Sequence, residues 1–316
     1  MQVVRKRIIW IAASLSLASA GANAQNYLDY ASVKYGFEEG NGGTDFFQMY
    51  KEANIRSGLT RERVPHALNL EYGKDPKQRL DVFMPQKKPT NAPVFLFLHG
   101  GAFEEGDRAH YGYVSTPLAA HGVVTVVASY RLIERGPANK IHYRDQEEDT
   151  RAIIVWIYKN IAQYGGDPNR IFVSGHSAGA LLAANAGTDR QWMTQAGLPK
   201  TALRGVAAIS GGYADWSTLG WLTYAAPTPA ERARLNPVSL VKDPTPAFIL
   251  ARGEKETNER FMKGIVEMKS ALLAKAVQVN VAIEPGADHG GAVLALYNED
   301  SPLTKAILQM IEHDKR

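Results

Sequence analysis

The sequence predicts an α/β fold: one mainly parallel central sheet with helices on both of its faces. Short continuous apolar runs recur along the chain, as expected for strands that are buried on both faces. They alternate with segments whose apolar residues return every three or four positions, as on one side of a helix. No internal repeat, low-complexity tract or linker interrupts residues 66–316. A single domain over that range is therefore expected.

The strands are predicted from apolar runs. The clearest is Val94–Leu98, in which every side chain is apolar. In chain order the predicted strands are 79–84, 94–98, 123–128, 171–173, 206–209, 247–250 and 277–283. Runs this short, separated by helical segments, are typical of a parallel sheet.

The helices are predicted from three- and four-residue spacing. The longest is expected over 145–164, where isoleucines recur at helical spacing and Gly165–Pro168 ends the pattern. Further helices are expected over 178–186, 259–276 and 303–312.

The first 24 residues read as a secretory signal peptide. Arg5–Arg7 supplies the positive start, Ile8–Ala20 is the apolar run, and Ala22–Ala24 is a small-x-small cleavage site. The apolar run is about 13 residues long, shorter than the ~20 that a spanning helix needs. We therefore expect an exported chain, periplasmic or secreted, with no membrane span after cleavage. Residues 25–65 are polar and glycine-bearing and form a separate N-terminal segment, a candidate cap.

Composition excludes several classes of protein. The chain is 45% hydrophobic and 22% charged, which is ordinary for a globular domain. The signal segment holds three basic residues, and the remaining 33 nearly balance 32 acidic ones, so a nucleic-acid partner is not expected. Without cysteine, a thiolate nucleophile, disulfides and cysteine metal sites are excluded. No metal-ligand motif or phosphate loop is present, so we expect no metal and no cofactor. Nothing in the sequence indicates the oligomeric state.

A nucleophile motif stands at Gly175-His176-Ser177-Ala178-Gly179, between a predicted strand and a predicted helix. The pattern G-x-S-x-G is typical of a sharp turn that lifts Ser177 out of the sheet, with glycines where a β-carbon would collide. The helix that follows directs its positive end at the serine. His176 is expected to pack locally and to take no part in proton transfer.

A second glycine motif, His99-Gly100-Gly101-Ala102-Phe103, follows the strand Val94–Leu98 directly. Glycines allow a backbone to aim its N–H groups at a developing oxyanion. We expect donors from Gly101 and Ala102, together with Ala178 after the serine.

The general base is predicted to be His289, which lies in a loop after the last predicted strand. His313 lies among charges in the terminal helix and is expected to be a surface residue. The triad acid is expected after strand 247–250, where either Glu256 or the reserve candidate Glu254 would serve. Asp288 adjoins the base but is not expected to reach its ring.

These motifs together resemble the esterase/lipase branch of the α/β-hydrolases, which includes hormone-sensitive-lipase-like carboxylesterases and arylformamidases. Tyr164–Ile171 is similar to the family's approach to the nucleophile, and Ile209–Tyr213 to its next strand; the likeness covers roughly residues 79–312. The resemblance implies the α/β-hydrolase fold, a short cap and no cofactor. Two residues depart from it: Ala102 stands where many members have glycine, and a glutamate replaces the usual aspartate.

The resemblance implies hydrolysis of small-molecule carboxylic esters, with small to medium acyl or aryl groups, through an acyl-enzyme. Phe103 and Trp216 are the candidate substrate contacts, the latter in the region of the short cap. An arylformamidase-type amidase would use the same residues and remains an alternative. A non-catalytic binding module of the same fold is the alternative from another class.

Overall fold

The computed structural model describes residues 37–38, 43–87, 89–134, 136, 138–213, 222–242 and 245–314. The predicted signal peptide lies outside the described residues, as does Trp216. Within the described ranges, no helix is long and apolar enough to cross a lipid bilayer.

The structure describes ten strands: the seven predicted ones are present in the predicted order, four of them longer than the apolar runs alone indicated, and three more were not predicted. Two of them, β1 and β2, form a small antiparallel pair, and the other eight form the central sheet. Their bounds are β1 Phe37–Glu38, β2 Thr44–Asp45, β3 His66–Glu71, β4 Arg79–Phe83, β5 Ala92–Leu98, β6 Val124–Ala128, β7 Gly166–His176, β8 Leu203–Ile209, β9 Ala247–Gly253 and β10 Val279–Glu284.

The helices surround the sheet. Their bounds are α1 Phe46–Arg63, α2 Ser115–Ala120, α3 Tyr143–Asn160, α4 Ala178–Thr188, α5 Gln191–Gln195, α6 Leu222–Ala225, α7 Pro229–Arg234, α8 Glu259–Ala274, α9 His289–Leu294 and α10 Pro302–His313. Short 3₁₀ turns cover Arg108–His110, Gly112–Val114, Ile161–Tyr164, Lys200–Ala202, Pro237–Leu240 and Ala295–Tyr297.

The central sheet has the strand order β10-β9-β8-β7-β5-β6-β4-β3. Strand β4 pairs antiparallel with both of its neighbours, and every other pairing is parallel. The mainly parallel sheet expected from the sequence is therefore present. Because parallel strands end at the same edge, the loops after β5, β7, β8, β9 and β10 all meet on one side of the molecule.

Two apolar layers, one on each face of the sheet, form the core. Along β5 the side chains of Val94, Leu96 and Leu98 enter one layer with α3, α4 and α8, whereas Phe95 and Phe97 enter the other with α1, α9 and α10. This alternation follows from the two-residue period of a strand. Full burial of each such side chain contributes about 2 kcal/mol, so the strands behind the site are firmly held.

Helix α1 was not predicted from the sequence, where residues 25–65 were described as a polar, glycine-bearing segment and a candidate cap. Its buried positions are Met49, Tyr50, Ala53, Ser57 and Thr60. Three of these five, Ala53, Ser57 and Thr60, are small, so the face that enters the core carries little apolar signal. Asp45 caps the start of the helix by accepting from the backbone N–H of Gln48 at 3.1 Å.

Candidate active site

Ser177 lies in the sharp turn between β7 and α4. Its φ of 54° and ψ of −115° fall outside the regions that serine ordinarily adopts. The backbone N–H of Ser177 donates to the carbonyl of Ile209 at 2.9 Å, which ties the turn to the end of β8. Ser177 is partly exposed although His176 and Ala178 are buried. The turn thus presents a conformationally strained serine at the start of a buried helix.

Gly175 and Gly179 allow that turn to close. A β-carbon at Gly175 would lie 2.2 Å from the carbonyl oxygen of Gly179, and one at Gly179 would lie 2.2 Å from the carbonyl oxygen of Leu98. Both distances are well inside van der Waals contact, and the opposing atoms belong to the backbone. The two glycines are therefore required by close approach, for the reason that the motif suggested.

The loop after β5 passes directly over this turn. A β-carbon on Gly100 would lie 3.1 Å from the β-carbon of Ser177. Three successive residues then take a positive φ: Gly101 at 118°, Ala102 at 50° and Phe103 at 70°. Positive φ at two non-glycine residues in a row costs about 1–3 kcal/mol for each of them. Such a loop requires support from its surroundings.

Buried hydrogen bonds provide that support. The carbonyl of Phe103 accepts from the side-chain Nε2 of Gln146 at 2.8 Å and from the backbone N–H of Ile133 at 3.0 Å. The Gln146 side chain also donates to the carbonyl of Arg131 at 2.8 Å. The Tyr130 hydroxyl donates to the carbonyl of His99 at 2.8 Å, and their two rings stack 4.3 Å apart. The loop is thereby joined to α3 and to the segment after β6.

His289 and Glu256 form a buried pair at the same edge of the sheet. Nδ1 of His289 lies 2.5 Å from Oε1 of Glu256, and the two residues are 2% and 3% exposed. Because a carboxylate oxygen accepts, Nδ1 of His289 is the donor in this contact, which leaves Nε2 as the ring nitrogen available to a reacting group. This is the orientation that a general base requires.

The second carboxylate oxygen of Glu256 is also fixed. Its Oε2 accepts from the hydroxyl of Ser210 and from the backbone N–H of Gly253, each at 2.8 Å. Ser210 itself has a φ of 52° directly after β8. Three hydrogen bonds therefore hold the carboxylate in one orientation behind the imidazole.

His176 links the serine turn to His289. Its Nε2 donates to the backbone carbonyl of His289 at 3.0 Å, and the two rings are 4.6 Å apart. Burial, aided by the neighbouring His289, lowers the pKa of His176 well below its ordinary value. The ring is therefore neutral at physiological pH, and its local packing agrees with the expectation from the motif.

The remaining candidates lie apart from this pair. Glu254 is exposed and accepts from the backbone N–H of Gly286 at 2.8 Å. Asp288 caps α9 by accepting from the N–H of Gly291 at 2.6 Å. His313 is exposed in α10. The Phe103 side chain is 3% exposed and packs edge-on against Tyr143, and its role as a substrate contact stays a prediction.

Several residues around the site were not found from the sequence. Ser210 belongs to the segment Ile209–Tyr213 that carried part of the family resemblance. Nothing in the sequence around Ser210 indicates its hydrogen bond to Glu256, which lies 46 positions further along the chain. Gln146 is one polar residue within an amphipathic helix. Phe46 and Phe261, whose rings lie beside His289, are far from it in the sequence.

No metal centre accompanies these residues in the part of the chain that the structure describes, where no three histidine, cysteine or carboxylate side chains are grouped to hold an ion. His99 packs between Tyr130 and Tyr111, and burial lowers its pKa to about 4. Its Nδ1 donates to the carbonyl of Gly100 at 2.8 Å.

Comparison with known proteins bears on the class of this chain. The family model described as BD-FAE matches residues 80–203. Esterase LipC of Mycobacterium tuberculosis is 38% identical over 170 residues, which are 51% of this chain and 40% of LipC. Kynurenine formamidase of Salmo salar is 24% identical over 267 residues, 81% of this chain and 86% of the formamidase. The match to LipC, which covers 40% of that protein, means that this chain spans under half the length of LipC.

A solved structure gives the fold. Esterase B of Lactobacillus rhamnosis, crystallised with a tributyrin phosphonate inhibitor, superposes with a TM-score of 0.66 at 19% identity. The superposition covers 85% of this chain and 96% of esterase B. The chain has the α/β-hydrolase fold. Within that fold its sequence is similar to those of esterases, among them LipC and the para-nitrobenzyl esterase of Bacillus subtilis, so the resemblance to esterases expected from the motifs is confirmed.

Proposed function

We propose that this chain is a serine esterase that cleaves carboxylic esters with small to medium acyl or aryl groups. Ser177 is the nucleophile, His289 the general base and Glu256 the acid that orients it. The chief support is the buried contact between His289 Nδ1 and Glu256 Oε1 beside the serine turn. Esterases among the relatives of this sequence support the same class of reaction.

In the acylation half of the reaction, Nε2 of His289 takes the proton of the Ser177 hydroxyl as the oxygen attacks the ester carbonyl. The carbonyl oxygen becomes an oxyanion and accepts from the backbone N–H groups of Gly101, Ala102 and Ala178. One such donor typically stabilises the transition state by ~3 kcal/mol. The imidazolium then protonates the leaving alcohol as the bond between acyl carbon and alcohol oxygen breaks.

Deacylation repeats these steps with water as the attacking group. His289 takes a proton from the water, the hydroxide oxygen bonds to the acyl carbon, and the proton returns to Ser177 as the acid product leaves. Glu256 stabilises the imidazolium in both halves and stays ionised. Its bonds to Ser210 and Gly253 keep it in the orientation that this requires.

Labelling with a fluorophosphonate tests this proposal, alongside hydrolysis of p-nitrophenyl esters of increasing acyl length. We expect labelling and turnover in the wild type, and loss of both in Ser177→Ala. Ser239→Ala, which alters an exposed serine, should behave as the wild type. A wild-type protein that neither reacts with the probe nor hydrolyses any ester would be a binding module instead.

Formamide hydrolysis is a second candidate, because kynurenine formamidase aligns with 81% of this chain. The same residues would act on an N-formyl aniline, with an amine in place of the leaving alcohol. Parallel kcat/KM measurements on phenyl esters and N-formyl anilines separate the two. Preference for the anilines would make the chain an amidase with the same nucleophile.

A further inference from the structure

Two phenylalanine rings from distant parts of the chain lie against His289. Phe261, in α8, stacks on the imidazole with the ring centroids 5.4 Å apart and an interplanar angle of 28°. Phe46, the first residue of α1, meets it edge-on at 6.3 Å and 68°. Both phenylalanines are partly exposed, whereas the histidine between them is buried. The base therefore lies under an aromatic rim formed by Phe46 and Phe261.

Hydrogen bonds and packing contacts hold the N-terminal segment that carries Phe46 against the helix that begins at His289. The hydroxyl of Thr44, a residue only 1% exposed, accepts from the backbone N–H of Gly290 at 3.2 Å. A β-carbon on Gly290 would lie 2.9 Å from Sδ of Met49. Further along α1, Arg56 donates to the carbonyl of Leu294 at 2.8 Å. These contacts fix the position of Phe46 relative to the base.

The chemistry of ester cleavage determines which part of the substrate, the alcohol or the acyl group, would lie next to this rim. The general acid must come within about 2.6–3.2 Å of the leaving oxygen, so the group attached to that oxygen lies next to the imidazole. The acyl carbonyl lies instead toward the loop after β5, which passes over Ser177. A planar ring on the alcohol side would reach the two phenylalanines and could stack on or abut them.

We propose that Phe46 and Phe261 form the leaving-group subsite and select esters whose alcohol part carries an aromatic ring. This inference rests on the proposed esterase function and adds to it the side of the ester on which the ring belongs. It also gives the N-terminal segment a part in specificity through a single side chain, Phe46.

Two isomeric esters test the assignment: benzyl acetate has its ring on the alcohol side, and methyl phenylacetate has it on the acyl side. We expect the wild type to favour benzyl acetate in kcat/KM. Phe46→Ala should lower kcat/KM for benzyl acetate about tenfold and leave methyl phenylacetate within about twofold. Phe46→Leu, which keeps an apolar side chain, should show the same selective loss. Phe47→Ala is the matched control, because Phe47 follows Phe46 in the chain and is 47% exposed.

Benzyl alcohol, as a competitive inhibitor, gives a second readout that needs no leaving-group chemistry, and Phe46→Ala should weaken its inhibition. An equal fall for both esters in Phe46→Ala and Phe46→Leu would show that Phe46 only supports His289, and would overturn the subsite while leaving the esterase intact. A wild type that favours methyl phenylacetate would also overturn it. Failure of the wild type to hydrolyse any ester, or to react with a fluorophosphonate, would remove the esterase function and this inference with it.

Discussion

At the scale of single residues, two glutamates in one loop have opposite surroundings. Glu256 is buried and contacts His289, Ser210 and Gly253, whereas Glu254 is exposed and caps the backbone of a neighbouring loop. The sequence left the choice between them open, because spacing alone does not tell which side of a turn faces inward. Burial and hydrogen bonding now favour Glu256 as the acid.

Substitution separates the two glutamates. Glu256→Gln should lower kcat by about a thousandfold or more, because a neutral amide no longer stabilises the imidazolium or fixes its tautomer. Glu254→Gln should leave kcat within about twofold. Steady-state kinetics on one p-nitrophenyl ester measures both, with circular dichroism to verify folding. A larger loss in Glu254→Gln than in Glu256→Gln would contradict the assignment.

At the scale of elements, the loop after β5 depends on helix α3. Gln146 is fully buried and supplies two hydrogen bonds, one of them to the carbonyl of Phe103 within the positive-φ segment. The strain of that segment persists only because neighbouring groups over-determine its conformation. We therefore propose that Gln146 is a positioning residue for the proposed oxyanion site, which it does not itself enter.

Gln146→Met keeps the length of the side chain and removes both donors. We expect kcat to fall about 10- to 100-fold with little change in KM, since misplaced backbone donors weaken transition-state binding more than substrate binding. A transition-state analogue such as a boronic acid should bind more weakly by a similar factor. Gln195→Met, at an exposed position, is the control. Reduced thermal stability with unchanged kcat would mean that Gln146 serves only the fold.

The elements also show how far a sequence can be interpreted. Strands such as β5 were predicted because each is a continuous apolar run, but β7 begins at Gly166, within residues that read as a turn. Helix α1 was missed because it buries serine, threonine and alanine. The serine turn and the loop after β5, unlike α1, were predicted, because each carries a local glycine pattern. Contacts such as Thr44 with Gly290, 246 positions apart, leave no pattern in either segment.

For the whole molecule, buried neutral histidines make stability depend on pH. Burial lowers the pKa of His99 and His110 to about 4, from an ordinary value of 6.5. Between these two values the unfolded chain binds a proton that the folded chain does not, so the free energy of unfolding falls as the solution becomes more acidic. The stabilisation is complete above pH 6.5 and is lost progressively toward pH 4.

Denaturant unfolding at pH 7 and pH 5 measures this dependence. Each of the two histidines should contribute about 2 kcal/mol to the loss of stability across that interval. His110→Gln should remove the contribution of His110, so the free energy of unfolding should fall less between pH 7 and pH 5, whatever the stability of the variant at pH 7. His313→Gln, at an exposed histidine, should leave it unchanged. Identical pH dependence in the wild type and His110→Gln would contradict the expectation.

The proposed functional groups follow five adjacent strands, β5, β7, β8, β9 and β10. A slip of one residue in any pairing would move a group by about 3.3 Å and reverse the face of that strand. Reacting atoms tolerate misplacement of only about 0.5 Å. Catalytic turnover is therefore a sensitive measure of whether the strands are paired in the correct register. The helical content measured by circular dichroism does not report on that register.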